Sequence, residues 1–169
     1  MEHPELSALP RPERFILTSR KEYVDAFDRL LGLAQRELRV FDPDCFHLQI
    51  NAPQRCELLR AFLAPSRENR LYLALHDTDY LRNNCPRFTD LLRQFSDRMF
   101  IHQTHGDAAR VQDCMVLADR LHFARRLVHA QPRGTLWLHE DRESQGMYLR
   151  FSEIWESSVV AVSATTSGL

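Results

Sequence analysis

A chain of 169 residues has room for one compact domain and none for a tandem array. With 44% hydrophobic and 27% charged residues it carries the material for a core, which excludes a disordered tail. Twenty-two basic against 23 acidic side chains, net −1, argue against a broad footprint for nucleic acid or an anionic membrane and leave room only for a local basic patch.

Lys21 is the one lysine, and Ser19 with Glu22 has the spacing of a helix-opening capping box, so Lys21 reads as a solvated first-turn residue rather than a phosphate-loop or Schiff-base lysine. The glycines at 32, 106, 134, 146 and 168 stand too far apart to write a glycine-rich phosphate cradle. Cys45, Cys56, Cys85 and Cys114 form no CxxC pair, which removes the zinc-ribbon and thioredoxin readings. Without a charged start followed by an apolar run, and without about 20 consecutive apolar residues, the chain is expected to be cytoplasmic with reduced thiols and no membrane segment.

Along the chain, residues 1–14 carry three prolines and little periodicity and read as a leader. A helix follows Ser19, with Val24, Phe27, Leu31, Ala34 and Leu38 at three- and four-residue steps. Leu38 to Phe41 is a strand stopped by Asp42-Pro43-Asp44, and a second helix opens near Asn51 and Gln54 and ends before Pro65. The apolar run Leu71–Leu75 suits a strand covered on both faces; a third helix with Phe88, Leu91, Leu92 and Phe95 leads to a strand at Met99–His102. That alternation favours parallel pairing through helical crossovers. Cys114–Ala118 and Leu121–Ala124 flank Asp119-Arg120 as a hairpin, Thr135–Leu138 adds a strand, and Met147, Phe151, Ile154 and Trp155 mark a closing helix. The domain is placed at 15–158, with 159–169 a tail that is frayed or docked as an edge strand.

Four constellations merit chemical attention. Parallel strands would set Asp42, Asp44, Asp77, Asp79, His102, His105 and Asp107 along one rim, where a cation or acid–base site can form, although aspartate after a strand also caps the next helix. Asp42-Pro43-Asp44 is similar to the DxD pair of haloacid-dehalogenase-like phosphatases, but Phe46 and the lack of any lysine after Asp44 depart from that pattern. His102 and His105 fall on opposite faces of a strand, so no metal site is expected from them. The segment Arg120 to Arg133 is the densest positive stretch, and its guanidinium forks suit phosphate or carboxylate.

Met115-Val116-Leu117-Ala118-Asp119, then Leu121-His122-Phe123-Ala124, after a βαβαβ-like run and before a helix ending Phe151-Ser152-Glu153-Ile154-Trp155-Glu156, resembles one half of the phospholipase D superfamily, whose signature is HxKxxxxD followed by GSxxN. With its aspartate set on Asp119, Gln112 stands at the nucleophilic histidine, Cys114 at the lysine, Arg126 and Leu127 at Gly-Ser, and Ala130 at the asparagine. Residues 15–158, with Ile101–Thr104, Gly106–Ala108, Val111–Asp113 and Tyr148–Ser157, are also similar to an uncharacterised bacterial family. The resemblance implies an α/β fold, a mixed sheet with helices on both faces, as a single phospholipase D-like half. Glutamine cannot form the covalent phosphoryl intermediate and cysteine supplies no fixed positive charge, so the expected function is a non-catalytic binding or interaction module without cofactor, with an anion pocket at Arg125, Arg126 and Arg133. The alternative is an enzyme of phosphoryl-transfer type with a remodelled site drawn from His102, His129 and Asp119. Expected partners are a second copy of the chain in a homodimer and a small phosphorylated ligand or a protein, with no strong nucleic-acid signal and no membrane.

Overall fold

The computed structural model describes residues 10–164; most of the expected leader and the end of the tail lie outside them. One eight-stranded mixed sheet runs through the molecule in the order β1-β7-β6-β5-β2-β3-β4-β8. Its centre is the expected parallel trio, β2 (Glu37–Asp42), β3 (Arg70–Leu75) and β4 (Met99–Thr104). The crossovers are α1 (Arg20–Leu33), which leads into β2, α2 (Pro53–Leu63), and the short pair α3 (Asp79–Asn84) and α4 (Pro86–Gln94). The expected third helix, with Phe88, Leu91 and Leu92, is α4, which opens at Pro86 because proline starts a helix far better than it continues one; the six-residue α3 before it is not among the expected elements.

Local chemistry explains these boundaries. Ser19 caps α1 by accepting the Glu22 N–H, while the Glu22 carboxylate reaches back to the Thr18 N–H. The buried stripe of α1 is Tyr23, Ala26, Phe27, Leu30 and Leu31, rotated slightly from the expected one and putting Tyr23 inside. Lys21 pairs with Asp25 at the surface. Asn51 does not cap α2, which opens with Pro53; its carbonyl accepts the Arg87 and Phe88 N–H groups and so caps α4.

The later strands turn back antiparallel. β5 (Cys114–Ala118) and β6 (His122–Arg126) form the expected hairpin, with Asp119 (φ 57) and Arg120 (φ 55) both left-handed. β7 (Gly134–Leu138) follows, then α5 (Asp141–Glu156). Two elements correct the expected boundaries. Glu13–Leu17, partly inside the stretch read as leader, is strand β1 and pairs with β7; Ser158–Val162, most of it in the tail, is strand β8 on β4, the docked edge strand of the two alternatives. Both are edge strands, each paired along one side alone.

Helices α1, α2 and α4 cover one face of the sheet with the main apolar cluster, including Phe27, Leu59 and Phe88 against Leu38, Val40 and Leu73. The other face carries α5, where Phe151 and Ile154 meet Phe41, Met115, Leu117 and Phe123. A helix is about 10 Å across and strands lie about 4.8 Å apart, so one helix cannot roof eight strands. The stretch β6–β7–β1 on that face is left open as a groove.

Candidate functional site

The position aligned with the superfamily nucleophile lies at the start of β5, where Met115 pairs with Phe41 and sets Cys114 level with Asp42 at the end of β2. It is filled with protein. Cys114 and Arg126 are opposite one another on β5 and β6, and both are buried. Arg126 Nε donates to Cys114 Sγ (3.4 Å), Cys114 Sγ contacts the Tyr23 hydroxyl (3.6 Å), and the guanidinium lies over the Tyr23 ring at 4.5 Å. Burial pushes the Cys114 thiol up, with the nearby Asp42 charge adding to it, so the sulfur stays protonated and unreactive. Burial likewise raises Tyr23 strongly and raises Asp42, in the latter case outweighing the N–H groups of Cys45 and Asp44 that bond its carboxylate. Gln112 donates its side-chain amide to the Arg110 carbonyl, and its backbone carbonyl accepts the His129 backbone N–H.

Three carboxylates of the expected rim are engaged in turns. Asp42, Asp44 and Asp77 each accept backbone N–H groups two or three residues ahead, and among the described residues no group of three His, Cys, Asp or Glu side chains is placed to hold a metal ion. His76 bridges Thr104 Oγ1 (2.6 Å) and the Val111 carbonyl (2.9 Å) and so ties β3 to the loop beyond β4.

The candidates His102, His129 and Asp119 are not brought together. His102 stacks on Trp155 (centroids 3.7 Å apart) and bonds Ser158, and burial lowers its pKa. His129 follows β6, four strand spacings from β4, or about 19 Å. Asp119 sits at the opposite end of the sheet, where its carboxylate accepts the N–H groups of Gln35 (2.7 Å), Arg36 (2.7 Å) and Glu37 (3.0 Å). It is a backbone clamp at the entry to β2.

The anion-pocket residues divide in two. Arg125 and Arg126 are neighbours on a strand and so face opposite sides of the sheet, which sends Arg126 into the core beside Tyr23 and corrects its expected place in the pocket. Arg125 and Arg133 do line one cavity, the open groove of about 550 Å³ on the α5 face, where Arg14 from β1 joins them. Its floor includes Trp137, Phe123 and Thr135, and α5 contributes Met147 and the carboxylate of Glu143 to the wall. Arg125 is held by Asp113 (3.2 Å), which also receives a two-pronged contact from Arg150 (2.8 and 2.7 Å). Burial alone would raise Asp113, but Arg150 and Arg125 reverse the sign and hold it below the usual carboxylate range. Among the described residues neither Arg14 nor Arg133 has a carboxylate within ion-pair distance. Arg14 escaped the sequence reading because β1 did, its signal being the short apolar run Phe15-Ile16-Leu17 beside it; Trp137 lies on an expected strand but is not among the expected site residues.

Comparison with solved structures agrees with the architecture. TrmBL2, an archaeal chromatin protein described as showing a novel mode of DNA binding, superposes with a TM-score of 0.67 at 12% identity over 93% of this chain, which spans 57% of that protein. Nuc from Salmonella typhimurium, a phospholipase D family member, gives 0.59 at 11% identity over 90% of this chain and 100% of its own, and NucT from Helicobacter pylori gives 0.59 at 8% identity over 89% and 99%. The fold is thus that of a single phospholipase D-like domain. The likeness to a DNA-binding chromatin protein also overturns the expectation of no strong nucleic-acid signal. That expectation used net charge, which averages over the whole surface, whereas the groove gathers three arginines against one glutamate. No curated protein matches by sequence. The family model described as a domain of unknown function, DUF7931, matches residues 19–163, and the chain belongs to that family.

Proposed function

We propose that this protein is a non-catalytic phospholipase D-like module that binds a phosphate-bearing polyanion in the groove formed by β1, β7, β6 and α5. The observation that supports it most is the exchange of chemistry between two places. At the start of β5 the superfamily histidine and lysine positions hold Gln112 and a buried Cys114 sealed by Arg126 and Tyr23, while on the α5 face Arg14, Arg125 and Arg133 line an open cavity. A thiol held protonated is a poor nucleophile, and a guanidinium packed on a buried tyrosine is not presented to a substrate. The open arginines suit phosphate oxygens in forked geometry. Nucleic acid is the polyanion favoured, since the DNA-binding chromatin protein shares this fold.

The test is a titration of fluorescein-labelled DNA by anisotropy across a salt series, beside turnover assays with bis(p-nitrophenyl) phosphate, phosphatidylcholine vesicles and DNA. Binding should weaken with salt, and Arg14→Ala or Arg133→Ala should weaken it further and flatten the salt dependence by about one counterion each. Turnover that disappears on His129→Ala or His102→Ala would overturn the reading, as would DNA affinity indifferent to both arginine substitutions.

A further inference from the structure

The groove holds more than charge. The sheet register sets Arg14 of β1 opposite Trp137 of β7, and Trp137 opposite Phe123 of β6, and directly opposed residues share a face, so the three side chains stand in one row across the floor. The Trp137 and Phe123 rings lie 23° from parallel with centroids 6.3 Å apart, and the Arg14 guanidinium is 5.2 Å from the Trp137 ring centre. One step along the strands, Thr135 of β7 is opposed to Arg125 of β6, and Arg133 stands just before β7. The result is a half-buried Trp137 ring, backed by the buried Phe123 and flanked by guanidinium groups, in a row spanning two strand spacings or about 10 Å.

That mixture selects among polyanions. An isolated phosphate uses the arginines and leaves the rings idle. A duplex presents its backbone and keeps its base faces stacked inside. A single strand offers phosphates and free base faces together, and aromatic rings beside arginines are how sequence-tolerant single-strand sites are built. Among the described residues Glu143 is the only carboxylate in the lining, so its net charge with Arg14, Arg125 and Arg133 remains positive. The neighbouring surface residue Leu127 and the wall residue Met147 give the sugar and base edges an apolar surround.

We infer that the groove binds single-stranded nucleic acid, with an unpaired base stacked at Trp137 and the adjoining phosphates on Arg14, Arg125 and Arg133. This rests on the polyanion reading above and names its ligand. The full chain is titrated with a labelled thymidine oligonucleotide, with an abasic oligonucleotide of equal length and charge, with a duplex of the same length, and with a phosphoserine peptide. The thymidine strand should bind about 5- to 150-fold more tightly than the abasic strand, the range expected for one stacked base. Trp137→Leu should erase that difference while Trp137→Phe keeps most of it. The abasic comparison uses the unsubstituted protein, so it decides the matter even if Trp137→Leu fails to fold. Equal affinity for the thymidine and abasic strands, with both weakened by Arg133→Ala, overturns the single-strand inference and leaves the polyanion reading standing. Preference for the duplex or the phosphopeptide also overturns it. Binding to none of the probes overturns both.

Discussion

Asp119 is the residue on which the sequence resemblance and the structure differ most sharply, and replacing it tests the difference. In active superfamily members the aligned aspartate belongs to the catalytic motif; here its two oxygens take three backbone N–H groups at the mouth of β2. Hydrogen bonds to a charged group are worth about 1.5–3 kcal/mol each when the donor is cut off from water. The Gln35 and Arg36 groups are exposed and water can replace their partner, so most of the loss falls on the half-buried Glu37 N–H, giving about 2 kcal/mol. Alanine at φ 57 adds about 1 kcal/mol, because a left-handed residue with a Cβ and no side-chain hydrogen bond is strained. Asp119→Ala should therefore destabilise by about 3 kcal/mol, a fall in Tm of about 6–12 °C for a domain of this size. Asp119→Asn keeps a carbonyl acceptor and tolerates the left-handed backbone, so about half the loss is expected. Urea unfolding followed by circular dichroism measures both, and DNA affinity of the folded fraction should not change, since the groove is elsewhere. A loss below about 0.5 kcal/mol in the alanine variant, well under the usual cost of an unpaired buried donor, would refute the clamp assignment. So would an asparagine variant as damaged as the alanine one.

Other expectations follow from the same geometry. A Cβ on Gly134 would lie 2.6 Å from the Arg125 carbonyl oxygen and 2.8 Å from Arg126 Cγ, so Gly134→Ala should cost about 1–3 kcal/mol through a forced shift of β7 against β6; an unchanged urea midpoint would contradict this. Arg126→Met should be better tolerated than Arg126→Ala by about 1–2 kcal/mol, because methionine fills the volume over Tyr23 without a buried charge and alanine leaves a cavity; equal melting temperatures would refute it. His122 and His102 both have pKa values lowered chiefly by burial, so the folded state favours their neutral forms and binds fewer protons than the unfolded chain. Their contribution is fully present above the ordinary histidine pKa of about 6.5 and is lost as pH falls through it toward the lowered folded values. His122→Gln should flatten that part of the stability–pH curve measured from pH about 7.5 to 5, and an unaltered slope would count against it. Asp113, held low by Arg150 and Arg125, acts further down: its contribution is present above the usual carboxylate range and is lost as pH drops through its lowered value, a step that Asp113→Asn should remove.

Much of the architecture was legible in the chain because it rests on local rules. Ser19 and Glu22 announce α1 through capping chemistry, Leu71–Leu75 is continuous and apolar because β3 is covered on both faces, and Asp119-Arg120 breaks two apolar runs where a hairpin turns. The resemblance in which Gln112 and Cys114 stand at the signature's histidine and lysine is equally a matter of residue identity. Which side chains share a pocket is not local. Arg125 and Arg126 are adjacent in sequence and lie on opposite faces of β6, while Arg14 meets Trp137 only because a strand from the start of the chain closes the sheet beside β7. Edge strands such as β1 and β8 owe their existence to a partner's hydrogen bonds and not to their own five residues. Asp119 likewise carries one identity in the motif and another in the fold, since a carboxylate's role is decided by the donors that tertiary structure points at it, here the backbone of Gln35, Arg36 and Glu37.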